Sequence, residues 1–282
     1  MTETRSEPPV TVDAPKRGDA GSGRLTRLTS SLGRAALPLL GLVVTITVWW
    51  LITRFGVVHP IALPPPQDVL AAFNGARDRL LEQTLATATE TVIGFLLSTV
   101  AGVLIGLALA SSRFIERMFA PLLVAVNAVP KIALGPLLVV TLGWGQRPIL
   151  TMVFLLCFFP IVLATMTGLT TTPADLAELA KSLDASRWQA FRKVRLPAAL
   201  PQIFVGLKVG MPLAAIGAVM GEFQAGEGGL GYEIVQSLGI GDSATAWASI
   251  LLIGFFSILL FYALSLIERL VLPWVRATTS AR

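Results

Sequence analysis

The chain has 282 residues, 54% of them hydrophobic and only 14% charged, with a mean hydropathy of +0.74; this is more apolar surface than one soluble core hides, so lipid covers the remainder. The formal charge of +5 does not mark a nucleic-acid binder, because the basic residues cluster beside apolar runs, where membrane topology and anionic headgroups account for them. A single cysteine (Cys157), a single histidine (His59) and the lack of any G-x-x-x-x-G-K-[ST] sequence exclude a disulfide framework, a cysteine metal cluster and a phosphate-cradling loop, so the chain is expected to bind no cofactor of its own.

Residues 1–33 mix Thr, Ser, Pro, Gly and charges of both signs without apolar periodicity and read as a disordered tail. The long basic region before the first apolar run, with no small-residue cleavage site after it, argues against a cleaved signal peptide. Residues 34–276 form the membrane domain and 277–282 a short C-terminal tail. Six transmembrane helices are read as the intervals between charges, since about 20 apolar residues cross a hydrocarbon core. Arg34 and Arg54 bracket the first, Glu90 and Arg113 the second, Arg117 and Arg147 the third, Arg147 and Asp175 the fourth, and Asp242 and Glu268 the sixth. The fifth, about 203–221, is interrupted only by Lys208, which can snorkel to the headgroups.

Between the first two spans, the stiff Leu63-Pro-Pro-Pro66 stretch leads to Asp68, which can cap a helix carrying Val69, Leu70 and Phe73. Gly102/Gly106, Gly206/Gly210 and Gly217/Gly221 form small-xxx-small faces, read first as packing within one subunit and second as a dimer seam. Pro212 is expected to kink span five. Beyond it, the glycine-rich stretch from Glu222 to Ala246 can bend sharply into a short helix.

Cytoplasmic loops retain Lys and Arg. With the amino terminus inside, the inner segments hold 16 basic residues and the outer ones 4, with Lys131 and Lys208 in the membrane. Both termini and the loop at about 171–200 are therefore expected in the cytoplasm.

That loop reads as two short amphipathic helices. Thr172-Pro173-Ala174-Asp175 is a helix start, followed by an apolar stripe of Leu176, Leu179, Ala180 and Leu183 at i, i+3, i+4 and i+7. Ser186-Arg187-Trp188-Gln189 repeats the capping pattern and opens a second helix with Phe191 and Val194, expected to stop before Leu196-Pro197. By pattern alone the pair could equally float on headgroups.

Glu178-Leu-Ala180, Asp184-Ala-Ser186, Phe191 and Val194-Arg-Leu-Pro197, with the following Ala-Ala-Leu-Pro201 and Gly226 to Tyr232, resemble the Glu-Ala-Ala loop of permeases of bacterial ATP-binding cassette importers, in the branch that takes up nitrate, sulfonates and taurine. The chain departs from that pattern at Asp184, where glycine is usual, and at Leu179, which replaces the middle alanine; aspartate tolerates left-handed turn geometry better than most residues. The resemblance implies an all-α integral membrane protein with a type I importer permease fold, multi-pass in the bacterial inner membrane, and no enzyme activity of its own. It further implies a second permease subunit, here a homodimer, two ATPase subunits that bind ATP and Mg, and an extracytoplasmic binding protein. The residues implied in coupling to the ATPase are Glu178, Leu179, Ala180, Leu183, Asp184, Ala185, Ser186, Arg187, Trp188 and Arg192.

The pathway candidates are Asn127, Lys131 and Glu222. Lys131 follows Pro130 near the middle of span three and must face protein or water; with Asn127 one turn earlier it could bind an anionic or polar substrate, or else it snorkels or pairs with a carbonyl freed by the proline. Glu222 reads either as a gate or substrate contact or as a solvated helix end. The solute is expected to be small and anionic or polar, with a pyrimidine or riboflavin-type vitamin precursor as the alternative. A secondary transporter or channel is the alternative of another class, weakened because the acids lie at span boundaries or in connections where proton-driven carriers commonly need one inside the membrane, and for a membrane enzyme the chain lacks a clustered His, Cys or acid constellation.

Overall fold

Helix accounts for every regular element in the computed structural model, which describes residues 22–171, 178 and 182–274. Helix α1 covers Ser22–Arg54, α2 Pro66–Gly75, α3 Arg77–Ala110, α4 Arg113–Asn127, α5 Gly135–Leu142, α6 Gln146–Thr170, α7 Arg187–Ala190, α8 Leu196–Ala225, α9 Leu230–Gly239 and α10 Ser243–Val271. Five of them (α1, α3, α6, α8 and α10) are long and apolar enough to cross a membrane unbroken. The third expected span is different: α4 and the segment Lys131–Leu142 pass that test only as a pair, bent by 73° at the break. The break falls at Pro130, which supplies no N–H and disfavours helical geometry in the residue before it, and the chain crosses the gap in a one-turn 3₁₀ segment, Lys131–Leu134. Two further boundaries move: α1 begins at Ser22, inside the stretch expected to be disordered, and α2 begins at Pro66, so Asp68 lies in its first turn, facing the helix dipole, instead of capping it.

The core lies where α6 meets α3 and α8. Val153, Cys157 and Ile161 of α6 are fully buried against Phe95 of α3 and Phe204, Leu207, Met211 and Ala214 of α8. Hydrophobicity does not drive helices together inside lipid, so their approach depends on small residues. A Cβ at Gly106 would lie 2.6 Å from Thr165 Cβ, one at Gly206 2.4 Å from Ala164 Cβ, and those at Gly217 and Gly221 2.7 Å from the Cα atoms of Val153 and Ile149. The small-residue faces therefore serve packing within one subunit. Cys157 fits the same seam and gives its S–H to the Gly210 carbonyl at 3.2 Å. By contrast, no residue of 37–54 in α1 is buried within the subunit.

At one membrane end, Trp49 and Trp247 donate their indole N–H to the Pro64 and Ala62 carbonyls, and Val69 of α2 packs with Ala248 and Phe256 of α10, so the proline-rich stretch is strapped across the bundle. At the other end, Lys208 of α8 pairs with Glu268 of α10 and does not snorkel alone. Lys208→Met strands a partly buried carboxylate and is expected to cost about 1–3 kcal/mol of stability. Thermal unfolding in detergent should show the loss, with Lys208→Met/Glu268→Gln recovering most of it; an unshifted Lys208→Met would leave the pair without structural weight.

The loop between α6 and α8 is described in part. Glu178 and Ser182 are helical, with Ser182 Oγ donating to the Glu178 carbonyl at 3.0 Å, whereas Leu179, Ala180 and the expected start at Thr172 to Asp175 lie outside the described residues. The second helix does not stop before Leu196-Pro197. After α7 the chain takes a π turn, Phe191–Arg195, and runs directly into α8, the Leu196 N–H bonding the Phe191 carbonyl. The wider turn makes room for Pro197, whose ring would collide with the carbonyl four residues back in an unbroken α-helix.

Candidate functional site

Three separate places hold the chemistry the sequence singled out. The first is the turn ahead of α7. Asp184 has φ of +50°, and it is the one non-glycine residue at positive φ among those described. Its short polar side chain lets it take the position where glycine is usual. The predicted cap then forms reciprocally: Gln189 N–H donates to Ser186 Oγ at 3.2 Å, and Ser186 N–H to Gln189 Oε1 at 2.9 Å. The result is a rigid knob. Trp188 stacks on Phe191 with ring centroids 5.7 Å apart yet stays 66% exposed, and Leu183 is 72% exposed. Arg192 and Lys193 are exposed behind them, Ala185 is half-buried at the turn, and the Arg187 backbone opens α7. Two large apolar groups are thus presented on a capped turn beside basic residues.

The second place is the break in the third membrane segment. Lys131 reaches back over the end of α4, its ammonium donating to both the carbonyl and the side-chain Oδ1 of Asn127, each at 2.9 Å, and lying 4.9 Å from the centre of the Phe159 ring. Asn127 is exposed and Lys131 half-buried. The structure therefore unites two of the expected pathway residues and also realises the pairing with a freed carbonyl, because Asn127 is the last residue of α4 and its carbonyl has no N–H in the same helix. Two of the three ammonium hydrogens are engaged; the third is open to a further oxygen.

Glu222 belongs to neither place. It is 1% exposed, so it is not a solvated helix end, and its carboxyl group is turned into α3 and the glycine-rich loop. Its Oε2 accepts the Gly231 N–H at 2.6 Å. The adjacent Leu230 N–H goes to Thr87 Oγ1 at 2.7 Å, and the Gly229 N–H goes to Gln83 Oε1. Three successive amides at the start of α9 are thus taken by side chains of two other helices. Gly229, at φ +97°, has no room for a side chain, since a Cβ there would lie 2.3 Å from Glu222 Cδ. The carboxyl of Glu90 lies against that of Glu222, so the two acids meet in one buried contact. One turn into α9, Arg79 of α3 bonds Glu233 at 3.1 Å. Gln83, Thr87 and Glu90 went unnoticed in the sequence as a group, although their spacing of four and three places them on one face of α3.

Against known proteins, residues 98–277 match the family model described as binding-protein-dependent transport system inner membrane component. The chain is 34% identical to the riboflavin transport system permease protein RibX of Chloroflexus aurantiacus, over 89% of this chain and 96% of that protein. It is 31% identical to the taurine transport system permease protein TauC of Escherichia coli, over 83% and 87%. In fold it is similar to the MetNI methionine ABC transporter in inward-facing conformations, with a TM-score of 0.60 and 22% identity over 70% of this chain and 98% of that one.

Proposed function

The chain belongs to the binding-protein-dependent transport system inner membrane components, and from that premise we propose how its sites divide the work of import. It is the permease subunit of an ATP-binding cassette importer with the type I permease fold, an integral inner-membrane transport component and not an enzyme, and it works with ATPase and substrate-binding partners. Two copies enclose the pathway. Both termini and the 171–200 loop lie in the cytoplasm, where two ATPase subunits bind ATP and Mg; the permease binds no cofactor.

The knob at Leu183 to Arg192 enters the ATPase groove, together with Glu178, Leu179 and Ala180 ahead of it. Leu183 and Trp188 supply the buried anchor, and Arg187, Arg192 and Lys193 meet acids at the rim.

The observation that carries the substrate reading is the Asn127–Lys131 pair. A cation and an amide exposed beside a helix break, in a segment whose Leu122, Val126, Leu137 and Val140 are also exposed, are costly against lipid. The second copy covers this face, and the polar pair lines the path between the copies. The free ammonium hydrogen donates to an oxygen of a small anionic or polar solute of the sulfonate, taurine or nitrate kind. A planar vitamin precursor is the second reading, favoured by the stacked Phe154–Phe158 pair with Phe159 edge-on to it and beside Lys131, and by the riboflavin-transport relative.

Lys131→Met is expected to lower uptake about tenfold or more with ATPase association intact. Uptake in proteoliposomes with the partner binding protein checks it; unchanged affinity and rate would remove Lys131 from the path. ATPase copurification with the chain, and uptake lost with a nonhydrolysable nucleotide, test the importer as a whole.

A further inference from the structure

We propose that Gln83, Thr87 and Glu222 form a latch on the loop 226–231 that closes the outer end of the pathway and has to open in each transport cycle. The inference rests on the topology proposed above, which puts this loop outside.

The N-terminal amides of α9 have no partners in their own helix, and all three at Gly229, Leu230 and Gly231 are met by Gln83 and Thr87 of α3 and Glu222 of α8. The fastening thus runs between helices, through side chains that water can replace once the loop lifts. Arg79 and Glu233 add a second clasp between α3 and α9, and Arg79 is more than half exposed.

The closed latch also carries a built-in opposing cost. Glu90 and Glu222 bring two carboxyl groups together in a buried spot. Burying two carboxyl groups side by side is costly, and an open loop would give both of them water. Gly229 and Gly231 lie so close to the Glu222 side chain that no larger residue fits the closed loop. Bonds that favour closure and a buried carboxyl pair that favours opening make a two-state element.

The latch is, moreover, attached to a lever. Glu222 sits three residues from one end of α8, a single 30-residue helix of about 45 Å, whose other end continues through the π turn into the Trp188 knob. A displacement of the knob is carried along α8 to the carboxyl group that holds the Gly231 amide. On this basis Glu222 is a positioning residue that acts on the outer loop, and the substrate is met at Asn127 and Lys131.

The test uses the assembled transporter in proteoliposomes with its ATPase and binding protein. A Cβ at Gly228 would lie 3.2 Å from Gln83 Oε1, at the far end of that side chain, so the thiols of Gln83→Cys/Gly228→Cys are placed for a short, reducible bis-methanethiosulfonate linker across the closed latch, and the buried Cys157 does not compete. Cross-linking is expected to cut uptake about tenfold or more, with reduction restoring it. A fixed scaffold would be indifferent to that bond: a cross-linked transporter importing at the reduced rate, or a pair that never cross-links, overturns the latch. Thr87→Val should raise ATP hydrolysis measured without binding protein, and Thr87→Ser should not; equal hydrolysis in both counts against it. The topology is judged separately by Glu227→Cys, at an exposed position, which a membrane-impermeant maleimide should label in intact cells. Labelling only from the cytoplasmic side would sink the topology while the cross-linking result still decides whether the loop moves.

Discussion

Arginine in place of Ala185 is expected to abolish uptake and leave the protein in the membrane. Ala185 sits half-buried between Asp184, the residue that turns the chain at φ +50°, and the Ser186–Gln189 cap that opens α7. The methyl group fits there. A guanidinium does not, because it must either leave the turn, and so displace Leu183 and Trp188, or carry its charge into the groove that receives them. Losing an anchor of that kind costs about 2–4 kcal/mol of association, a factor of 30 or more in affinity for the ATPase. The turn itself is tested at Asp184. Asp184→Gly should keep coupling, since glycine reaches positive φ freely, whereas Asp184→Val should weaken the turn by about 1–2 kcal/mol because a β-branched residue resists that conformation. Uptake and ATPase copurification are measured together. Normal uptake by the Ala185→Arg protein would show that the knob does not transmit the force.

The contrast between Asp184 and Lys131 shows how far the residues could be read unaided. At Asp184 the determinants are local: a short polar side chain, a cap four residues long and a known set of turn geometries, so the turn and the Ser186–Gln189 pairing were legible in the sequence. The membrane helices were legible for a similar reason, since charge spacing and apolar length report the hydrocarbon core directly. The third segment was not, because an apolar interval containing Pro130 has the same composition whether the helix bends gently or breaks by 73°. The run of α7 into α8 was hidden too: Leu-Pro reads as a stop, and only the π turn shows how a proline is carried through. Glu222 was the harder case. Its burial depends on Gln83, Thr87 and Glu90 some 130 to 140 residues away in sequence, as the Gly229 and Leu230 bonds illustrate with separations of 146 and 143. Tertiary proximity of that sort leaves no mark in a local pattern.

Leucine at Gly217 is expected to prevent assembly altogether. The residue lies where α8 crosses α6, and even a methyl group there would come within 2.7 Å of Val153 Cα and 3.1 Å of Val153 N, which are backbone atoms with no rotamer to turn aside. The two helices would have to separate, taking with them the Phe204, Leu207 and Met211 contacts to α6 and the adjoining Gly221–Ile149 crossing. Within lipid no hydrophobic effect draws them back, so the close approach itself is the source of stability, and its loss should exceed about 3 kcal/mol. Gly254 of α10 provides the control: a side chain there meets nothing within 4 Å, and Gly254→Leu should change stability by less than about 0.5 kcal/mol. Monodispersity and thermal unfolding in detergent separate the two variants, and capture of the ATPase reports whether the knob survives. The outcome also bears on the lever, because α8 can carry a displacement from Trp188 to Glu222 only while the glycine seam holds it rigidly on α6. A Gly217→Leu protein that folded, captured the ATPase and imported normally would mean that the seam gives way without consequence, and that force reaches the outer loop by a route other than α8.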